Sequence, residues 1–392
     1  MSAHVLIAGG GIAGLTAALA LGRAGVSVTV IEREGGFSEA GAGLQVSPNA
    51  SSVLAQLGVL EGVARLAVRP RALAIHRWGD DRALAGMAMA SADGHPFLCL
   101  RRADLQTALL DAVRLMPTIT LLVGRTLRAV QADADGVTVT VTTTTGREER
   151  LLAHLLVGAD GLRSAVRTCL GDNSMPRFLG YEAWRAVVRT NPIEPPAVRL
   201  WLDPDGHAVS YPMGQGCTNL VVIRNGRDHS EGWSRPGDRA VLAPLRRRAG
   251  PSLAALMEAA PEWQVWSLFD RPPAVMAKGH VVLIGDAAHP VLPFLAQGAG
   301  LAIEDAGVLA QVAAAALTSG TAQGDVLRAA LARFAALRRA RVARVQREAR
   351  SNGRIYHAGF PVALARDLAL KALGDTGMRA RYGWLYDWRM GD

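Results

Sequence analysis

The chain has 392 residues, half of them hydrophobic, which is enough for two domains or one elaborate domain with a large core. Its formal net charge of +9 comes mostly from arginine and favours anionic ligands. Three scattered cysteines (Cys99, Cys169, Cys217) lack metal-ligand spacing, so we predict no metal site and a reducing, cytoplasmic location. The sequence shows no signal peptide, no uninterrupted apolar stretch long enough to span a bilayer and no recognised nucleic-acid motif.

The first thirty residues have the pattern of a dinucleotide-binding unit. In order they give a strand (4–8), the glycines Gly9, Gly11 and Gly14 in G-x-G-x-x-G spacing, a helix (15–23) and a strand (26–31). Glycines permit a tight turn and close approach of the backbone to a pyrophosphate, whose charge faces the helix N-terminus. Glu32, which ends the second strand, can accept hydrogen bonds from ribose hydroxyls.

The next segments alternate between this unit and a second sheet. We predict a glycine-rich loop at 35–43 and entry into a helix over 44–50. Strands of a second sheet are predicted at 71–78 and 97–100, with a loop or hairpin between them. A helix over 101–115 and a strand at 119–123 follow, and then an antiparallel excursion over 126–131, 137–142 and 150–153. The apolar run at 155–157 then returns the chain to the parallel sheet and ends in a Gly-Ala-Asp-Gly turn at Asp160 and Gly161.

From residue 177 to about 272, short alternating runs predict an antiparallel sheet. Its predicted elements are strands at 183–189, 197–202, 207–212 and 218–224, a helix over 238–258 and a strand at 265–269. No second glycine-rich phosphate loop occurs in this region.

The C-terminal third opens on a buried strand, Val281 to Ile284, which ends in Gly285-Asp286. A bent loop follows and leads into an alanine-rich helix over 301–317. A second helix, over about 325–350, carries eight arginines, which we interpret as a solvated basic face, with contact to acidic lipid or a partner as the alternative. The aromatic tail (Tyr382, Trp384, Tyr386, Trp388) is expected to pack on the body or at a dimer contact.

Three motifs in this order, at Gly9–Gly14, Asp160–Gly161 and Gly285–Asp286, resemble those of the class A flavoprotein aromatic hydroxylases. The resemblance spans nearly the whole chain and is greater to the salicylate, 3-hydroxybenzoate and 6-hydroxynicotinate hydroxylases. It implies an α/β fold: a Rossmann-like FAD-binding domain of the glutathione-reductase type, an antiparallel-sheet substrate domain and C-terminal helices. The corresponding division is 1–70, 101–176 and 273–324 for FAD, 71–100 and 177–272 for substrate, and 325–392 for the helices.

The resemblance also assigns residues to a noncovalent FAD. Arg102 matches an arginine that faces the pyrophosphate, Asp286 is expected at flavin ribose or ribityl hydroxyls, and Leu127 falls near an adenine-side backbone contact. The full predicted cofactor set is Gly9, Gly11, Ile12, Ala13, Gly14, Glu32, Arg33, Arg102, Leu127, Asp286, Gly298 and Ala299.

The expected reaction is hydroxylation of a small phenolic or hydroxypyridine aromatic, carboxylated, by O2 and NADH or NADPH through a flavin C4a-hydroperoxide. A phenol needs its hydroxyl deprotonated, for which a histidine is suited. His207 begins a strand whose alternation puts Tyr211 on the same face, as in the hydroxybenzoate and hydroxynicotinate enzymes. We therefore predict His207 and Gln297 as catalytic, and Tyr211, Gln297 and Pro293 as substrate-binding.

The remaining histidines rank lower. His289 is expected to be structural, and no comparable context surrounds His4, His76, His95, His154, His229, His280 or His357. Three alternatives stay open: a halogenase, although Trp263–Trp266 does not match its tryptophan motif; a flavin oxidase or reductase acting on a non-aromatic molecule; and a non-enzymatic flavoprotein that uses the arginine-rich helix as its surface. Ring position, decarboxylation, and monomer or homodimer are not decided.

Overall fold

A computed structural model describes residues 3–37, 43–91, 93–191, 195–226, 234–319 and 324–391. His229 and most of the predicted loop at 35–43 therefore lie outside the described residues.

The strands, in chain order, are β1 (His4–Ala8), β2 (Ser27–Glu32), β3 (Gly43–Val46), β4 (Ala72–Arg77), β5 (Ala83–Ala88), β6 (Leu98–Arg101), β7 (Ile119–Val123), β8 (Arg125–Ala132), β9 (Val137–Thr143), β10 (Glu148–Ala153), β11 (Leu155–Gly158), β12 (Arg177–Arg189), β13 (Ala197–Asp203), β14 (Gly206–Gly214), β15 (Cys217–Asn225), β16 (Arg235–Gly237), β17 (Trp263–Asp270), β18 (Ala277–Lys278) and β19 (Val281–Leu283).

The helices are α1 (Ile12–Arg23), α2 (Pro48–Gln56), α3 (Leu60–Leu66), α4 (Arg102–Arg114), α5 (Ala165–Cys169), α6 (Ala243–Arg247), α7 (Pro251–Ala259), α8 (Gly298–Thr318), α9 (Gly324–Tyr356) and α10 (Val362–Tyr386). Helix α10 is interrupted at Gly374, where φ is +56°, a left-handed conformation that glycine adopts without a Cβ clash.

A six-stranded sheet in the order β18-β19-β11-β1-β2-β7 forms the first body, as expected for a Rossmann-like unit. Strands β19, β11, β1, β2 and β7 run parallel, and only β18 is antiparallel to its neighbour. The central strands β1, β11 and β19 are almost wholly apolar and buried because helices α1 and α8 cover the sheet. The predicted excursion β8-β9-β10 is a separate antiparallel sheet.

The second body is an eight-stranded sheet in the order β16-β17-β12-β15-β14-β13-β4-β5. All neighbouring pairs are antiparallel except β13 and β4. One face packs on α6 and α7 through three buried tryptophans, Trp78, Trp184 and Trp201. The other face carries His207 and Tyr211 and looks toward the loop before α8 and toward the C-terminal helices.

Three predicted elements need correction. Residues 98–101 are a strand, but β6 pairs with β3 in a two-stranded ladder and not with the second sheet. Residues 43–46, expected at a helix entrance, are that partner strand, and the helix begins at Pro48. The helix predicted over 238–258 breaks at Gly250-Pro251, because proline has no N–H for a continuing helix and Gly250 is extended.

Helix α8 carries Glu304 and Asp305 and is therefore not an uninterrupted apolar stretch, but by length and composition it is apolar enough to cross a membrane. However, 78% of its most apolar 18-residue window is buried against the rest of the protein. Helix α8 packs on α1, α2 and α9, so core burial accounts for its apolar composition.

The arginine-rich helix is not simply a solvated basic face, as we had interpreted it. Arg338 is buried and donates to Glu304 and Asp305 on α8, at 2.7 Å each. Arg341 donates to both oxygens of Glu304 at 2.6 Å. Arg339 and Arg347 are exposed, so the solvated interpretation holds for part of the helix only. Tyr382 and Tyr386 of the tail are buried on the body, as predicted.

We expect Arg338→Met to destabilise the protein by about 3–5 kcal/mol, because Glu304 and Asp305 would each lose a buried cationic partner. The measurement is the free energy of unfolding from denaturant titration. Arg339→Met on the exposed side of α9 is the matched control and should change stability by less than about 0.5 kcal/mol. Equal effects in both variants would show that the buried pairs do not hold α9 on α8.

Candidate active site

The first glycine turn has the shape that a dinucleotide pyrophosphate requires. A Cβ on Gly9 would lie 2.4 Å from the carbonyl oxygen of Ala159, and φ of Gly9 is +108°. A Cβ on Gly14 would lie 1.9 Å from the carbonyl oxygen of Gly9, so this residue permits close packing of α1 on β1. No atom lies within 4 Å of a Cβ on Gly11, which leaves that backbone open to a ligand. These are the three roles that the fingerprint assigns to its glycines.

Glu32 lies beside this turn at the end of β2. Its carboxylate accepts from the backbone N–H of Gly10 at 2.7 Å and of Glu34 at 2.9 Å. These bonds fix its direction, and the remaining lone pairs can accept from ribose hydroxyls. Arg33, also predicted at the cofactor, is mostly exposed and pairs with Glu34.

Charged residues line the side of the cleft opposite the Gly9–Gly14 turn and Glu32. Asp286 follows β19 and reaches solvent in the cleft. Partial enclosure by protein raises the pKa of Asp286, while the charges of Arg102 and His289 oppose that shift. Burial lowers the pKa of Arg102, which Asp286 opposes and a second arginine, Arg185, reinforces. Asp286, Arg102 and Arg185 therefore lie within electrostatic reach of one another.

The N-terminus of α8 faces the same cleft. A Cβ on Gly298 would meet nothing within 4 Å, so the first N–H groups of this 21-residue helix are open to a ligand. Such a terminus carries partial positive charge and favours anions. Ala296, just before it, has φ of +53°, a strained conformation for a residue with a Cβ. Ile12 and Ala13 supply the corresponding first turn of α1.

Gln297 is buried and its amide is already engaged by the protein. The nitrogen donates to Ser47 Oγ at 2.9 Å, and the oxygen accepts from Asn49 at 3.1 Å. Asn49 also donates to Glu304 at 2.6 Å. This arrangement gives Gln297 the task of holding the loop before α8 against β3 and α2. Its predicted contact with substrate stays a prediction.

The Gly-Ala-Asp-Gly turn has a local role. Asp160 accepts from Ser164 Oγ at 2.5 Å and from the backbone N–H of Ala165 at 2.7 Å. It therefore caps α5 at the carboxyl end of β11, next to Gly9. Leu127 lies in β8 opposite Val141, and its predicted backbone contact with the cofactor stays a prediction.

His207 lies in an aromatic enclosure next to the loop before α8. It is 2% exposed, and its ring centroid lies 5.2 Å from the rings of both Phe294 and Tyr356. Phe294 directly follows Pro293, so this contact joins the strand to the predicted flavin loop. The hydrogen bond between His207 Nδ1 and His357 Nε2 is 2.8 Å long and leaves Nε2 of His207 as the ring nitrogen for a substrate.

Both histidines are held uncharged. Burial, with a smaller contribution from His357, lowers the pKa of His207 well below its usual value. Burial and Arg366 lower the pKa of His357 to about 4. No local pattern indicates this pair, because the two residues are 150 positions apart in the chain. His289, in contrast, bonds Asp305 at 2.6 Å, in keeping with the structural role predicted for it.

Tyr211 lies on the same face of β14 as His207, as its spacing predicts, and packs among Cys99, Val198 and Met213. Burial raises the pKa of its hydroxyl, which is therefore neutral at physiological pH. Among the residues that the structure describes, no cluster of histidine, cysteine and carboxylate side chains could hold a metal ion.

Comparison with known proteins agrees with this geometry. Residues 2–349 match the family model described as FAD binding domain. The chain is 36% identical to a 3-amino-4-hydroxybenzoate 2-monooxygenase of Streptomyces platensis, covering 98% of this chain and 95% of that protein. It is 31% identical to a 3-hydroxybenzoate 6-hydroxylase of Klebsiella oxytoca, with coverage of 98% and 97%. A salicylate hydroxylase substrate complex shares the fold, with a TM-score of 0.82, 24% identity and coverage of 100% and 96%.

The chain therefore belongs to the FAD binding domain family of flavoprotein monooxygenases. Within that family it is an FAD-dependent aromatic hydroxylase.

We expect Glu32→Ala and Arg102→Ala each to weaken FAD binding by roughly ten- to a hundred-fold, the usual effect of losing a charge-assisted hydrogen bond. Fluorescence titration of apoprotein with FAD measures the change. Arg114→Ala, at the exposed far end of α4, is the control and should bind FAD normally. Unchanged affinity in both site variants would mean that the groove beside Gly11 is not the cofactor site.

The histidine pair also predicts a pH dependence of stability. In the unfolded chain each histidine gains a proton near pH 6.5, whereas the folded pair resists protonation until about pH 4 at His357. The unfolded state then binds more protons, so the pair lowers stability as the pH falls through this window. Denaturant midpoints at pH 7 and 5 should differ less in the double variant His207→Asn, His357→Asn. An equal pH difference in both proteins would contradict the assignment.

Proposed function

We propose that this enzyme hydroxylates a small carboxylated phenol or hydroxypyridine, with His207 as the base toward the substrate hydroxyl. The supporting observation is the position of His207, on the sheet face that contacts Phe294 of the loop before α8. The relatives named above act on hydroxybenzoates. NADH or NADPH is proposed as the reductant and O2 as the oxidant.

Bound FAD would supply the activation of oxygen, held by the groove from Gly11 and Glu32 to Asp286. The protein's own part is to position the ring, exclude water and move a proton. His207 is neutral near pH 7 because of its lowered pKa, so its Nε2 can accept the proton of a substrate hydroxyl. Nδ1–H then donates to Nε2 of His357, which shares the charge that burial disfavours.

Burial makes His207 a weak base, and a charged His357 would weaken it further, so the lowered pKa that keeps His357 neutral matters here. The neutral ring of His357 can accept from Nδ1–H of His207 and so stabilise its imidazolium form in the apolar enclosure. His357 is less buried than His207, so it lies between the enclosure and solvent. A phenolate formed at Nε2 raises the electron density of its ring and makes it a better nucleophile for hydroxylation.

The alternatives from the sequence are now weaker. An oxidase or reductase on a non-aromatic molecule would consume O2 or NADH without forming a hydroxylated ring, which product analysis detects. The halogenase and the non-enzymatic flavoprotein receive no support from the relatives, which are named as monooxygenases and hydroxylases. A cytoplasmic location, a monomeric or homodimeric state and the three-part domain division remain proposals.

We expect His207→Ala to retain FAD but to hydroxylate roughly a hundred-fold more slowly, as is typical of losing a general base. NADH oxidation that continues should yield hydrogen peroxide, and the defect should shrink at high pH, where the phenol ionises unaided. Oxygen, NADH and product are measured together. His4→Ala, at the N-terminal end of β1 and so at the opposite edge of the sheet from the groove, is the control. Normal coupling in His207→Ala at neutral pH would reject His207 as the base.

A further inference from the structure

Arg185 occupies an unusual position on the substrate sheet. Its neighbours in β12, Trp184 and Ala186, point to the packed outer face, so Arg185 points to the inner face that also carries His207. Register places Arg185 opposite Val221, and Val221 opposite Val209. Arg185 is thus two strands across the sheet from Val209, which lies two residues along β14 from His207.

No acid within the described residues pairs with Arg185. Its Nε is buried and has no hydrogen-bond partner. The observed contact of its guanidinium is the ring of Trp266, with Cζ 5.2 Å from the centroid. Arg185 also interacts electrostatically with Arg102, which has the same sign. Arg185 as a whole is half-buried, and a charge that is largely enclosed without a counter-ion is costly, so native structures normally pair it or bind an ion there.

A second unsatisfied donor lies on the same face. Asn219 is 1% exposed, and its oxygen accepts from the backbone N–H of Gly43 at 3.0 Å, which sets the direction of the amide. Its nitrogen Nδ2 is buried and makes no hydrogen bond of normal geometry, although Asn219 lies close enough to the Tyr211 hydroxyl to oppose the rise in that hydroxyl's pKa. Asn219 is the direct cross-strand neighbour of Tyr211, whose hydroxyl interacts electrostatically with Arg185. Together, Arg185 provides a cation, Asn219 an amide N–H and Tyr211 a hydroxyl.

We propose that Arg185, Asn219 and Tyr211 form a binding site for the carboxylate of the aromatic substrate. This inference rests on the proposed function. It assigns residues to the carboxylate of the substrate, whereas His207 acts on the hydroxyl. Strand spacing and rise place the Cα atoms of Arg185 and His207 roughly 12 Å apart. One aromatic ring that carries a carboxylate and a hydroxyl bridges such a span with a hydrogen bond at each end. The carboxylate would neutralise Arg185 and accept from Asn219.

An anionic oxygen of bound FAD could pair with Arg185 in the same way as the substrate carboxylate. The test therefore distinguishes binding of the substrate from binding of FAD. Arg185→Met is titrated with 3-hydroxybenzoate and, separately, with the neutral 3-hydroxybenzamide, following the flavin absorbance change on ligand binding. We expect the dissociation constant of the acid to rise roughly ten- to a hundred-fold and that of the amide to stay within about three-fold. FAD affinity should be unchanged. Arg189→Met, at the exposed end of the same strand, is the matched control.

A fall in FAD affinity with no change in the preference for acid over amide would assign Arg185 to the cofactor and overturn the proposal. Unchanged binding of acid, amide and FAD would also overturn it. Because Arg185 lacks a protein counter-ion, Arg185→Met should keep or raise the melting temperature of the apoprotein; a lower one would show a structural role instead. Wild-type protein that binds the acid in preference to the amide but forms no hydroxylated product would contradict the proposed function and leave this site standing.

Discussion

Two adjacent buried carboxylates, Glu304 and Asp305 on α8, hold together the parts of this protein that surround the active site. Glu304 joins Asn49 of α2 to Arg338 and Arg341 of α9. Asp305 accepts from the backbone N–H of Gly285 and from His289, and so fixes the turn that presents Asp286. Charges at this depth are tolerated only because every one is paired. The cofactor groove, the loop at Gln297 and the C-terminal helices therefore form one mechanical unit.

The two sheets present different chemical environments to ligands. Open backbone N–H groups at Gly11 and at the start of α8 suit the phosphates and polar edges of a dinucleotide. The inner face of the second sheet is apolar except for a few donors and the neutral histidine pair. Water is excluded there by Phe294, Tyr356 and the tail, which strengthens each remaining electrostatic interaction. In the cleft, two positive charges, Arg102 and Arg185, lie near one negative charge, Asp286, which favours anionic ligands. The net charge of the whole chain is also positive.

Local patterns in the sequence predicted most of the fold. The strand at 119–123 was predicted to the residue, because an apolar run between turn signals has few other solutions. The helix predicted over 238–258 is too long, because Gly250-Pro251 divides this segment in the structure. Motif spacing indicated His207 and Tyr211 on one face, but pairings across long separations leave no local trace. His357 beside His207, Arg338 beside Glu304, and Arg185 without an acid each depend on tertiary structure.

The order of pairing in the central sheet has a consequence for synthesis on the ribosome. Strand β1 lies between β2 and β11, and β11 lies beside β19, which begins at Val281. Asp305, which holds the turn at Gly285, also pairs with Arg338, some fifty residues after that turn. A nascent chain therefore cannot complete its parallel sheet until β19, about seven-tenths of the way along the chain, has emerged. Such high contact order slows folding and makes early chaperone capture more important than for a protein built from local contacts.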